Sequence, residues 1–199
     1  MDLIARVKGI LLKPKEEWVK IKAETHTVMG LFTSYAMILA AIPAVASFIG
    51  LALIGRRIPF YGWYRVSIGT AFLQMILLYI SSLAAVYILG IIINALAPTF
   101  SSKQDINNAM KLAVFSMTAS WVGGVFYIIP VLGILAILAG IYGLYILYLG
   151  FDSPLMDTPK EKVVGYFAVS AVVAVVIIAI IWIILGAIFT VGTFGGRVL

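Results

Sequence analysis

The side chains able to do chemistry are few in this chain, and they avoid its apolar runs. It has one histidine, no cysteine, 14 Lys or Arg and 8 Asp or Glu in 199 residues. Charges within a bilayer mark proton relays, ion pathways and counter-ion sites. None of the five apolar stretches read below as spans contains Asp, Glu, Lys, Arg or His. That counts against a proton-coupled pump and against an intramembrane protease built on paired carboxylates or a metal. His26 stands alone before the first run, where a lone histidine reads as a cap or surface residue. Without cysteine there is no thiol catalysis, no disulfide framework and no thiolate metal site. The sequence therefore offers no catalytic, cofactor-binding or metal-ligating residue, and predicts a protein that is not an enzyme.

What remains is polar and aromatic. Gln74, Ser81, Ser82 and Asn94 lie in or near one apolar run. Such groups bridge helices in lipid at roughly 0.6–2 kcal/mol each. The sharper alternative is a solute path lined by Gln74, Ser81, Ser116 and Thr118. Further on, Gly133, Ala136, Gly140, Gly143 and Gly150 recur at helical spacing. They form a small-residue stripe against which another helix packs closely. Tyr142, Tyr145 and Tyr148 fall on the opposite side, facing lipid, a cavity or a partner. Thr158-Pro-Lys-Glu161 reads as a capping box that starts a helix at Pro159. It sets Lys160 and Lys162 where that helix meets water, as candidate contacts for a partner or lipid.

The elements that carry these residues follow from composition. The chain is 63% hydrophobic and 11% charged, against roughly 45–50% and about 25% in soluble domains. A bilayer crossing needs about 20 apolar residues. Uncharged runs predict five spans, at about 28–54, 66–97, 112–129, 131–150 and 163–188. Pro43 kinks the first and Pro130 splits the third from the fourth. The second run is longer than the hydrocarbon core and should tilt, bend or project. Residues 55–65 form an aromatic and basic loop with Tyr61, Trp63 and Tyr64 as an interfacial belt. Residues 98–111 form a polar loop, with a short helix capped by Ser101 and Gln104. The fold class is an all-α, five-helix membrane bundle. Residues 1–27 form an N-terminal segment, 28–190 the membrane domain and 191–199 a short tail.

The N-terminal segment is amphipathic. Leu3, Ile4, Val7, Ile10 and Leu11 share a face, while Arg6, Lys8 and Lys13 lie elsewhere. That pattern suits a helix in the headgroup region, with those three cations against anionic lipid. Pro14 starts a second helix with Glu16 and Glu17 early and Lys20 and Lys22 late, matching the helix dipole. Trp18 reads as its interface anchor. With five spans the termini lie on opposite sides, and the Lys and Arg residues divide ten against four in favour of the N-terminal side. The positive-inside rule then places the N-terminus in the cytoplasm and the C-terminus outside. The net charge of +6 belongs to these loops and tails beside the membrane and is no nucleic-acid signal.

LLKPKEEW (11–18), LAAIPAVASFIG (39–50), AMKLAVFSMTASW (109–121), the Pro130 hairpin, IYGLYILYLG (141–150) and PLMDTPKEKVVGY (154–166) together carry a resemblance. The chain resembles the Yip domain family, proteins that interact with Ypt/Rab GTPases, and looks like a short prokaryotic member. The resemblance implies five membrane helices and a cytosolic N-terminus, and places the chain in the prokaryotic inner membrane. It departs from the pattern at Ala119, where proline is expected after SMT, and lacks the long cytosolic region of the eukaryotic members. The reading is a non-enzymatic scaffold or membrane-organising factor that contacts bilayer lipid, anionic headgroups and a protein partner at its cytoplasmic face. Its rival is a transporter or channel for a small neutral or lipid-like solute. Neither an oligomeric state nor a cofactor is implied.

Overall fold

The computed structural model describes residues 2–58, 62–152 and 155–194. Two short helices open the chain, α1 (Leu3–Leu12) and α2 (Pro14–Ala23). Asp2 caps the first through Oδ1, which accepts from the amides of Ile4 and Ala5. Pro14 separates them, because its ring admits a first helical turn but no continuation of the one before. Five helices long and apolar enough to cross a membrane follow, and the chain is an all-α integral membrane protein.

The first long helix, α3 (Val28–Ile54), holds two stretches of wider π-helical winding, Phe32–Ala36 and Ile49–Ile54, on either side of Pro43. Gly55, with φ of 78°, ends it. Antiparallel strands β1 (Arg56–Ile58) and β2 (Gly62–Tyr64) follow, with Arg56 opposite Tyr64. This ribbon stands in the stretch that the sequence presents as a plain loop. The next helix, α4 (Ile68–Leu96), is capped by Ser67 and runs on as a 3-10 turn to Phe100.

The third crossing begins earlier than the sequence suggests and is broken. Asp105, not Ser101 or Gln104, caps α5 (Ile106–Ser116), its carboxylate accepting from the amides of Asn107 and Asn108. Ser101 instead takes a left-handed turn with φ of 53°. The helix is interrupted at Met117, resumes as α6 (Thr118–Gly123) and tightens to a 3-10 turn over Gly124–Ile128. The Ser116 and Thr118 hydroxyls donate to the carbonyls of Leu112 and Phe115, each at 2.6 Å. Such back-bonding competes with the helical ladder and bends it. At Pro130 the chain turns into α7 (Gly133–Asp152). The last helix, α8 (Lys160–Phe194), starts one residue after the expected Pro159, and the Thr158 hydroxyl accepts from Ser102 Oγ. Residues 195–199, most of the expected tail, lie outside the described residues.

Small residues set the closest approaches. A Cβ at Gly50 would stand 2.1 Å from the carbonyl oxygen of Tyr127, so α3 passes the Pro130 turn backbone to backbone. Aromatic side chains fill the centre: the Phe115 ring meets Tyr35 at 4.9 Å and Trp18 at 6.5 Å, edge to face. The Tyr35 hydroxyl is bonded to Thr118 Oγ1 at 2.8 Å.

Candidate functional site

The polar chemistry gathers where α1 and α2 fold back against the bundle. Both lie along the flank of α5, α6 and α7, at the end where α3 and α5 begin. Trp18 explains why they stay there. Its indole N–H donates to the carbonyl of Ile146 at 3.1 Å, and its ring fills the notch left by Gly150, where a Cβ would stand 2.8 Å from the indole and 2.2 Å from Leu112. Trp18 is thus a core residue, and Ile10 and Ile21 are buried with it. The Tyr142 hydroxyl donates to the carbonyl of Leu11 at 2.8 Å.

Arg6 is the largest correction to the sequence reading. It is no headgroup contact: it is 6% exposed and lies in the seam between α1 and α2. Its guanidinium donates to Glu17 Oε1 at 2.6 Å and to Glu24 Oε1, and stands 5.7 Å from the centre of the Phe115 ring. Periodicity placed Arg6 off the apolar face of α1, but the returning α2 covers that side and supplies acceptors. Glu17, 5% exposed, also accepts from Lys20 at 3.0 Å. Glu24 Oε2 lies 2.8 Å from His26 Nε2. Burial pushes the Glu24 carboxyl up, but the hydrogen bonds from His26 and Arg6 together outweigh it and hold it below its ordinary 4.5.

Lys111 is a second correction. It stands within the third long helix, 3% exposed, although the sequence leaves it in a loop. Its ammonium donates to the carbonyl of Glu24 at 2.5 Å and to Asn108 Oδ1 at 3.2 Å. At the rim, Lys22 pairs with Asp157 at 2.9 Å, fixing α2 to the α7–α8 connection. A buried ion pair gains from mutual attraction only when its remaining donors and acceptors are met; here both terminal nitrogens of Arg6 are paired, with Glu17 and Glu24, while its Nε–H is buried without a partner.

The other candidate residues divide. Lys8 and Lys13 are exposed, the latter beside Glu16 at 3.4 Å. Lys160 is exposed, and Lys162 donates to Ser101 Oγ at 2.7 Å. The small-residue stripe is uneven. Ala136, Gly143 and Gly150 are buried, and a Cβ at Gly143 would meet the Ser116 carbonyl oxygen at 3.2 Å. Gly133 has open space beside it, and Gly140 only Ser120 Oγ at 4.0 Å. The tyrosines have different surroundings, although the Tyr142 and Tyr145 rings lie 5.8 Å apart. Tyr148 packs against Phe167 at 5.4 Å and Tyr142 against α1, while Tyr145 is 46% exposed.

The expected solute path does not assemble from its four residues. Ser116 and Thr118 are buried and bonded within the bundle. Ser81 instead lines a lateral apolar cavity of about 150 Å³ with Ser82, Val86, Met117 and Ile177. Trp121 Nε1 donates to Ser82 Oγ at 3.0 Å beside it. Gln74 is not part of that lining. Among the described residues no cluster of His, Asp and Glu could hold a metal.

The model of the Yip1 domain matches residues 8–184. Inner membrane protein YohC of Escherichia coli strain K12 is 25% identical over 129 residues, 65% of this chain and 66% of that protein. YohC of Escherichia coli O6:H1 strain CFT073 matches to the same extent. The chain thus spans about two thirds of the length of these curated relatives. No solved structure matches.

Proposed function

We propose a scaffold role from one premise: this chain belongs to the Yip1 domain family. It works, on this reading, as a non-enzymatic adaptor or membrane-organising factor in a prokaryotic inner membrane, with its N-terminus in the cytoplasm. One observation supports the role above others. The chain's buried charges serve to hold two amphipathic helices against the bundle, and leave Lys8, Lys13, Lys15 and Lys160 exposed. A preformed basic surface loses little ordering entropy when it meets anionic headgroups or an acidic partner segment. Ile4, Leu12 and Val19, all exposed, add apolar area on the same helices.

Solute passage is the second reading, and the lateral cavity beside the break at Met117 is what favours it. Broken helices line sites in transporters. Reconstitution separates the two. The full chain, with a benzophenone side chain at Lys13, goes into neutral vesicles and into vesicles rich in phosphatidylglycerol. The scaffold reading expects photo-capture of lipid that rises with anionic content, falls with salt, and comes without solute flux above that of empty vesicles. Flux of a small neutral solute, abolished by Ser81→Trp, overturns it in favour of transport.

A further inference from the structure

Several helices are longer than a bilayer needs. At about 1.5 Å per residue, α8 (Lys160–Phe194) runs about 52 Å and α4 (Ile68–Leu96) about 43 Å. The hydrocarbon core is roughly 30 Å thick. The excess can project from either end, and the α1–α2 hairpin decides which.

The hairpin lies along the bundle with its tip pointing inward. Glu24, at its outer end, holds Lys111, while Leu11, at its tip, takes the hydroxyl of Tyr142, midway along α7. At that tip the Lys13 and Glu16 side chains are 68% and 63% exposed. A carboxylate and an ammonium so exposed do not sit in hydrocarbon. The apolar layer therefore begins no nearer the helix ends than Leu11 and Tyr142.

Contacts carry that level to the other helices. Tyr148 packs on Phe167, so the level of Tyr142 on α7 corresponds to about residue 173 on α8. The Tyr166 hydroxyl donates to the carbonyl of Ile93, which carries it to about residue 86 on α4. Phe32 packs on Tyr87 at 5.8 Å, which carries it to about residue 33 on α3. From there to the opposite ends, residues 173–194, 68–86 and 33–54 measure about 32, 27 and 32 Å. These three helices thus agree with one hydrocarbon thickness, whereas α7 covers only about 14 Å from Tyr142 to Gly133, so that with this boundary the α6–α7 hairpin enters the apolar layer without spanning its full thickness. Tyr87 and Tyr145, 47% and 46% exposed, lie at the same level, as an interfacial aromatic belt would.

We infer that the membrane boundary on the N-terminal side runs at the tip of the hairpin, not at the helix ends. The last ~15 Å of α4 and α7 and the first ~15 Å of α5 stand beyond it as a neck in headgroups and water, clasped by α1 and α2. Lys13 and Lys15 meet phospholipid headgroups at its base. The buried charges of Arg6, Glu17, Glu24 and Lys111 then lie outside the apolar layer, and no ion pair is carried into lipid. The inference holds whichever compartment the neck faces, so it stands or falls separately from the scaffold role.

Native cysteine is absent, so single thiols report cleanly. Val164 and Ile91 are exposed on the neck, and Ile80 and Val176 are exposed below the boundary. Each is replaced by cysteine in the full chain, reconstituted, and timed with N-ethylmaleimide, which crosses membranes but reacts only with thiols ionised in water. Val164→Cys and Ile91→Cys should react at least tenfold faster than Ile80→Cys and Val176→Cys. Equal rates at all four sites, fast or slow, overturn the inference, as does slow reaction at the two neck sites. Retained circular dichroism in each variant shows that the rates belong to the folded protein.

Discussion

Replacing Arg6 with methionine tests what the buried charges do. Methionine keeps much of the side-chain volume and removes the guanidinium. Glu17, with its side chain 7% exposed, then loses its 2.6 Å partner and retains only Lys20, itself 64% exposed. Glu24 loses one of its partners but keeps His26 at 2.8 Å. Leaving one charge of a buried pair unmatched costs about 3–5 kcal/mol. Lys20 offsets part of that, so we expect about 2–4 kcal/mol. The loss falls on the docking of α1 and α2, because the membrane helices hold one another through other contacts. Backbone hydrogen exchange in nanodiscs should therefore accelerate about 30- to 800-fold over residues 3–23, with little change in α4 or α8. Replacing Glu17 by methionine as well removes the stranded charge, so Arg6→Met/Glu17→Met should exchange more slowly than Arg6→Met alone. If the single variant changes exchange by less than fivefold, the pair does not hold the hairpin. If the double variant is the worse of the two, stranded charge is not the cause.

Three further outcomes follow from the same contacts. Gly150→Leu should lower the detergent unfolding midpoint, by about 1–3 kcal/mol of overpacking against Trp18 and Leu112, whereas Gly133→Leu, with open space beside it, should shift it by no more than about 0.5 kcal/mol. Tyr142→Phe leaves the Leu11 carbonyl without its donor and should weaken hairpin docking by about 0.5–1.5 kcal/mol, read by exchange at residues 9–14. Because the folded Glu24 carboxyl is held below 4.5, its contribution is present above pH 4.5 and lost as pH falls through the folded value. Exchange at residues 20–26 should therefore quicken below pH 4.5, and Glu24→Gln should remove that pH dependence.

How much of this was legible in the sequence differs by element. Five long helices follow from apolar runs, since only a helix satisfies its own backbone in lipid, and Pro43 and Pro130 are visible where they bend or end one. Lys111 was misplaced because a lysine closing an uncharged run reads as the water line. Its partner, the Glu24 carbonyl, is 87 residues away, and no local pattern encodes such a pairing. Trp18 has the residue type of an interface anchor, and only the notch at Gly150 makes it a core residue. Arg6 was read from the geometry of one isolated helix, whereas α2 lies against its polar side. The break at Met117 carries no proline or glycine. Its one local signal is the pair of hydroxyls at Ser116 and Thr118, which the sequence reading considers only as lining for the alternative, a solute path.

The claim on which the rest depends is that α1 and α2 are a fixed part of the membrane domain. The Lys22–Asp157 pair, 2.9 Å apart at the rim, gives the most direct test. In a chain without native cysteine, Lys22→Cys/Asp157→Cys is treated in native membranes with a short bis-maleimide, and a protease site inserted after Glu24 reports the link. Fixed docking predicts that most of the protein retains its N-terminal fragment after cleavage, at a yield unchanged by dilution of the membranes. Release of the fragment from most molecules, with each single-cysteine chain still reacting with maleimide, would show the hairpin detached from the bundle and would contradict the account.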